Sequence, residues 1–184
     1  MPAPLHSLAG QLLLASPQLN RSLFKRAVIL LTSHGLEEGT QGFILNRPVP
    51  DLTLRDLIPS PDFAGLQDLP IYDGGPVNPS ELMLIALRWE AKKAALAWQL
   101  PLGIQGAKKA QAAGWEIRAC TGYTGWAPRQ LEDELGQASW LLLPPSPHAL
   151  AATEKDHLWP LLLRHSPDPA IALLAESPED PHLN

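Results

Sequence analysis

The chain has 184 residues, 45% of them hydrophobic and 18% charged, with a formal net charge of −5; this provides one sizeable core and fits a single domain, 1–184, better than two. No long acidic or basic run concentrates the charge, so the whole-molecule field mildly repels a phosphate backbone, and no apolar run reaches the ~18 residues of a membrane span. Twenty prolines, spread along the chain at about twice the usual ~5%, favour many short elements joined by stiff turns.

LAGQLLLASP, residues 8–17, is apolar and ends in small residues, but no Lys or Arg precedes it, so it does not read as a secretory signal. The single cysteine, Cys120, permits no internal disulfide. Both features fit a reducing cytoplasm. QLLLA (11–15) and AVILLTS (27–33) read as short buried strands around the polar SPQLNRSLFKR. GFILNRP (42–48) follows the turn composition Glu37-Glu38-Gly39 and reads as a third strand with an exit turn at Pro48. Only eight residues, His34 to Gln41, join the second and third strands, so these pair antiparallel; a parallel crossover needs roughly a dozen or more. TLRDLI (53–58) carries Thr53 and Asp56 at capping-box spacing before a short helix.

IYDGGPVN (71–78) is a glycine-rich loop, and ELMLIALRW (81–89) a central strand. Residues 91–105 are compatible with a helix breaking at Pro101 or with an extended segment. GAKKAQAAG (106–114) is a helix closed by Gly114, and WEIRA alternates like a strand. GYTGWAPRQLEDEL (122–135) reads as a shaped loop feeding a helix over 128–136. There Gly122 and Gly125 meet positive φ or close approach, and Pro128 takes the first helical position. SWLLLP (139–144) is another strand. Two helical stretches follow, one opened by Thr153 with Asp156 and interrupted by Pro160, the other by Asp168 with Pro169.

The patterns of a hydrolase nucleophile elbow, a phosphate-binding loop and a dinucleotide fold are absent. The six histidines show no metal-ligand spacing and read as solvent-facing. No zinc, flavin or nicotinamide is therefore expected, and no catalytic residue is assigned. Cys120 lies two residues after Arg118, on the same face of a strand, and is either a thiol activated by the guanidinium or, as burial favours, a small core side chain. Glu132, Asp133 and Glu134 could hold a general base, but acids early in a helix are favoured by its dipole in any case. The two glycine loops are the candidate binding region, with Asp73, Gly74, Gly75, Tyr123 and Arg129 as contact residues. The alternative is a packed corner with Tyr123 and Trp126 as its hydrophobic pins. Both are expected, divided by residue: Gly122, Gly125 and Trp126, with Gln130 and Glu132 of the same structural motif, build the corner, and Tyr123 and Arg129 face outward from it.

LFKRAVILL, GFILNRP, YDGGPV, GYTGWAPRQLEDEL and SWLLLP, in this order and spacing, resemble the YqgE/AlgH family of small bacterial proteins over about residues 8–175, leaving a flexible C-terminal tail, 176–184. The chain departs from that pattern at Ala27, where relatives carry serine, at Arg129, where they carry glycine, and in LMLIALRW, which lacks a histidine often found there. The resemblance implies an α+β fold, a mixed, largely antiparallel bent sheet forming a partial barrel flanked by helices. It implies the label of putative transcriptional regulator and no established catalytic residues. A regulatory or interaction protein with a protein partner or small ligand is the leading expectation, and a hydrolase or transferase joining Arg129, Glu132 or Asp73 in one pocket the second. Direct DNA binding comes third, because only Arg21, Lys25 and Arg26 cluster, near Arg47.

Overall fold

The computed structural model describes residues 7–150 and 157–176. Nine strands form one mixed sheet: β1 Leu12–Ala15, β2 Val28–Gly35, β3 Gly39–Ile44, β4 Pro48–Thr53, β5 Pro70–Asp73, β6 Val77–Glu90, β7 Ala95–Leu102, β8 Glu116–Trp126 and β9 Trp140–Leu143. The order is β4-β5-β8-β3-β2-β1-β9, with β6 paired to both β7 and β8. All pairings are antiparallel except β5 with β8. The sheet curls into a half-barrel flanked by helices: α1 Leu54–Leu57, α2 Ile104–Ala112, α3 Gln130–Gly136, α4 Leu158–Arg164 and α5 Pro169–Leu173.

The short apolar runs are strands buried on both faces, which is why they read as continuous rather than alternating. Leu12, Leu14, Val28, Leu30 and Phe43 point into one core with Trp159, Leu162 and Leu163 of α4. Their neighbours Leu13, Ala15, Ile29, Leu31 and Ile44 point into a second with Leu131 of α3 and the indoles of Trp126 and Trp140. A third core sets Ile71, Ala86, Ile117 and Ala119 against α1 and Ala107 and Ala110 of α2. The β2–β3 hairpin is antiparallel as its short connection requires.

Local signals explain several boundaries. Thr53 donates to Oδ2 of Asp56 from its backbone N–H at 2.8 Å and its hydroxyl at 2.6 Å, which holds the Asp56 carboxyl below its ordinary pKa. Asp168 accepts from the N–H of Ala170 at 2.8 Å, with Pro169 at the first helical position. Gly114, at φ 79°, follows the end of α2 in the left-handed conformation that closes helices. The paired Thr153 and Asp156, and the tail from 177 onward, lie outside the described residues.

Three sequence readings are corrected, and one left open is decided. Pro48 opens strand β4 instead of leaving the sheet. Of the two alternatives for 91–105, the extended one holds, with residues 95–102 forming β7. The expected loop 71–78 shrinks to Gly74–Pro76, because β5 and β6 claim its flanks. The segment GYTGW is the end of strand β8, not a loop; the turn is confined to Ala127, Pro128 and Arg129, and Pro128 precedes the helix because Arg129, at φ 65°, is the N-cap.

A cleft at the end of the β2–β3 hairpin

At Gly122 the partners of β8 change. On one side Ala119–Thr121 pair with β5 and Thr124–Trp126 with β3, while β6 runs along the other side with a register shift between Val77 and Leu82. Gly74 fills the gap where β5 ends: its N–H donates to the Thr121 carbonyl at 2.9 Å and its carbonyl accepts from Ile44 at 3.0 Å. The two glycine segments are thus packed backbone to backbone. A Cβ on Gly74 would collide with the Gly122 carbonyl, one on Gly75 would come within 2.5 Å of the Tyr123 backbone, and one on Gly122 would collide with the Gly75 carbonyl. Gly75 and Gly122 also adopt φ 144° and 68°. Glycine is required at all three by approach, and at two also by conformation.

Gly125 differs. Its φ is not in the left-handed region, and an added Cβ would meet only ordinary contacts, Tyr123 Cε2 at 3.6 Å and Val77 Cγ2 at 3.7 Å. It is exposed and lies in a cleft of about 750 Å³ with Ser33, His34, Glu38, Tyr123 and Trp126 among its walls. Tyr123 is half-buried and packs against the inner core, so it does not face fully outward as the sequence suggests.

Behind the cleft, Nε2 of His34 donates to Oε1 of Glu132 at 2.7 Å, the imidazole only 4% exposed. His34 is therefore not solvent-facing. The signal available in sequence is that AVILLTS continues as a strand through His34, carrying it to the hairpin end that α3 covers. The rest of the QLEDEL helix is equally committed. Gln130 Oε1 accepts from the N–H of Ala127 at 3.0 Å and its Nε2 donates to Glu134 at 2.8 Å. Glu134 Oε2 accepts from the indoles of Trp126 at 2.9 Å and Trp140 at 2.7 Å. Glu134, read from sequence only as a possible base or a dipole-favoured acid, is the anchor of the corner.

The five candidate contact residues do not line one cavity. Tyr123 borders the cleft. Asp73 and Gly75 border a separate cavity of about 490 Å³ together with Arg47, whose guanidinium is 3.8 Å from Asp73. Gly74 is buried between the strands, and Arg129 is exposed and paired with Glu37 at 3.0 Å, an ion pair that holds its pKa above the ordinary value. Cys120 is 1% exposed, and burial pushes its thiol up to about 12 against the lowering effect of Arg118. Arg118 itself donates to Glu116 at 2.6 Å and to the Leu45 carbonyl at 2.7 Å. Activation of the thiol by the guanidinium is thus overruled by desolvation. Among the described residues no group of three or more His, Cys, Asp or Glu side chains is placed to hold a metal, and no helix is long and apolar enough to cross a membrane.

The AlgH-like family model matches residues 12–169. A UPF0301 protein of Streptomyces coelicolor is 35% identical over 190 residues, covering 97% of this chain and 96% of that protein. Another from Myxococcus xanthus is 34% identical over 177 residues, covering 91% and 96%. The solution structure of the AlgH protein from Pseudomonas aeruginosa is similar at a TM-score of 0.54 and 30% identity, over 82% of this chain and 83% of that one. A crystal structure of a protein from Corynebacterium diphtheriae has a TM-score of 0.69 at 24% identity, over 95% and 94%, a likeness of fold.

Proposed function

This chain belongs to the AlgH-like family, whose relatives are uncharacterised, and on that premise we propose that it is a non-catalytic regulatory or interaction protein of the bacterial cytoplasm acting through the cleft at the β2–β3 hairpin. The observation that carries the reading is the cleft of about 750 Å³ beside a backbone made rigid by the packing of Gly74 and Gly75 on Gly122. A preformed concavity with a few polar groups on an over-determined scaffold is the usual form of a ligand site. The role of regulator follows the family label. Direct DNA contact fits less well, since the net charge is −5 and nucleic-acid affinity rests on phosphate neutralisation.

A hydrolase or transferase would need Arg129, Glu132 or Asp73 joined in one pocket, whereas Arg129 pairs with Glu37 at the surface, Asp73 borders the separate cavity with Arg47 and Glu132 is taken by His34. The His34 Nε2 is engaged by the Glu132 carboxylate and the ring is 4% exposed, so the pair serves better to fasten α3 to the hairpin than to exchange protons with a substrate. The test is a crosslinked pull-down from the native cell, with metabolite mass spectrometry on the same eluate, comparing the natural chain with Gly125→Val. Loss of the captured species from the variant supports the cleft; identical capture by both overturns it.

A further inference from the structure

Apart from the cleft, and independently of its reading, we propose that the cavity between Leu23–Phe24 and the Gly74–Pro76 turn binds a zwitterionic amino acid with an apolar side chain, its α-carboxylate on Arg47 and its ammonium group on Asp73.

The charges come first. Among the described residues lining this cavity of about 490 Å³, Arg47 and Asp73 are the charged ones, so its walls carry one cation, one anion and no net charge. The two are neighbours because the Asp73 N–H donates to the Arg47 carbonyl at 2.9 Å. Their charged ends nevertheless stay 3.8 Å apart, beyond a direct hydrogen bond.

Both ends are held in place from behind. Nη2 of Arg47 donates to the Lys25 carbonyl at 3.2 Å, beside the Phe24 wall, while Nη1 lies nearest Asp73 in the opposite wall. The guanidinium thus spans the space between the two walls, and its Nη1 and Nε make no hydrogen bond within the described residues. Asp73 Oδ1 accepts from the Gly75 N–H at 3.1 Å, which leaves Oδ2 as the uncommitted oxygen. Burial lowers the pKa of Arg47 by more than the Asp73 carboxylate raises it, so the partly desolvated cation lacks full anionic compensation. A ligand carboxylate supplies that to the guanidinium fork, and a ligand ammonium supplies the donor that Oδ2 lacks. A ligand with one charge would satisfy one partner and repel the other.

The remaining surface sets the side chain. Leu23, Phe24, Pro76 and Pro79 line the same space, and Leu23 is 74% exposed, so an aliphatic or aromatic ligand side chain would take apolar area out of water. The volume lies in the ~300–1,000 Å³ range of small-molecule sites, which join apolar walls to a few placed polar groups. Two prolines stiffen one wall, so binding has little to order there.

The experiment is an NMR titration of the full chain with leucine and phenylalanine, with isocaproate and hydrocinnamate, which lack the ammonium group, and with isoamylamine and phenethylamine, which lack the carboxylate. The amides of Asp73 and Gly75 and the Arg47 Nε–H report the cavity, and the amides of Gly39 and Gly125 the cleft. At least one amino acid is expected to shift the cavity signals alone, with each of its one-charge analogues about tenfold weaker or worse. Asp73→Asn keeps the oxygen that accepts from Gly75 and removes the charge, so it should leave Tm nearly unchanged and weaken the amino acid about tenfold. Leu23→Ser, at an exposed position, should weaken it severalfold, again without lowering Tm. Silence of the cavity signals to both amino acids overturns the proposal, as does equal binding of either analogue or undiminished binding by Asp73→Asn. Shifts confined to Gly39 and Gly125 would assign the ligand to the cleft and equally overturn this site. The cleft reading itself stands or falls by the pull-down with Gly125→Val, whatever the cavity binds.

Discussion

The indole N–H groups of Trp126 and Trp140 converge on one carboxylate oxygen, Oε2 of Glu134, at 2.9 and 2.7 Å. The rings meet edge to face with centroids 5.7 Å apart, and Phe24 closes on Trp140 at 5.2 Å. Strand β8, strand β9 and the segment before β2 are thereby tied to one helix of seven residues, too short to be stable alone. Truncating Trp126 to alanine is expected to cost about 3–5 kcal/mol, the range for large aromatic core residues. Glu134→Ala should cost about 1–3 kcal/mol by leaving two indole donors unpaired. Glu134→Gln should fall below Glu134→Ala, because one amide oxygen still serves the indoles while its NH2 opposes the amide of Gln130. Urea melts of the three variants test this order, and a Glu134→Ala melt equal to the natural chain would remove Glu134 from its assigned role.

The glycine packing makes a prediction that separates the glycines of one motif. Gly122→Ala must place a side chain at φ 68° and against the Gly75 carbonyl, so a loss of at least about 2 kcal/mol is expected. Gly125→Ala meets only contacts of 3.6 Å and beyond and should stay within about 0.5 kcal/mol of the natural chain. Thermal melts of the pair suffice; equal losses would mean that Gly125 is structural and that the cleft floor is not a free choice.

What was legible in the sequence divides along the same residues. The strands of the first 45 residues could be read because each is an apolar run bounded by turn residues, and the hairpin because eight residues allow nothing else. The Thr53–Asp56 capping box and the Asp168-Pro169 helix start act within four residues and were equally legible. The extent of β8 was not, because glycines read locally as a turn, and their reason, the backbone of Gly74 and Gly75 lying against Gly122, depends on a segment some 50 residues away in sequence. His34 with Glu132 and Glu134 with two tryptophans are likewise tertiary pairings, and a helix dipole accounts for acidic residues well enough to hide them. The family resemblance carried the half-barrel, which no periodicity dictates.

Arg129 caps α3 at φ 65°, a conformation costing a non-glycine residue roughly 1–2 kcal/mol. Its ion pair with Glu37 is solvent-exposed and screened, so it returns little. Arg129→Gly is therefore expected to leave Tm unchanged or raise it slightly, the relieved strain offsetting glycine's greater unfolded-state entropy. Arg129→Ala should stay close to the natural Tm. A clear fall in Tm for the glycine variant would show that the Glu37 pair outweighs the backbone.

Cys120 supplies a pH dependence of known sign. Burial pushes its thiol up to about 12, above the ~8.5 of a thiol in the unfolded chain. Below the unfolded value both states hold the proton and the contribution to stability is complete. Between the two values the unfolded chain has released its proton while the folded one retains it, so stability falls as pH rises, by about 1.4 kcal/mol per unit. Cys120→Ala removes this component at the cost of a small cavity. Every other titratable group is common to the two proteins, so the informative quantity is the difference between them. From pH 7 to 8 the natural chain should be the more stable, and above about pH 9 its advantage should shrink steadily as the thiolate forms in the unfolded state. Chemical unfolding of both proteins at intervals across that range measures it, with iodoacetamide labelling at pH 8 as a companion: the native thiol should be modified only as fast as the chain opens. Parallel stability curves for the two proteins, or labelling as rapid as in the unfolded chain, would show that the thiol is not shielded as its burial requires.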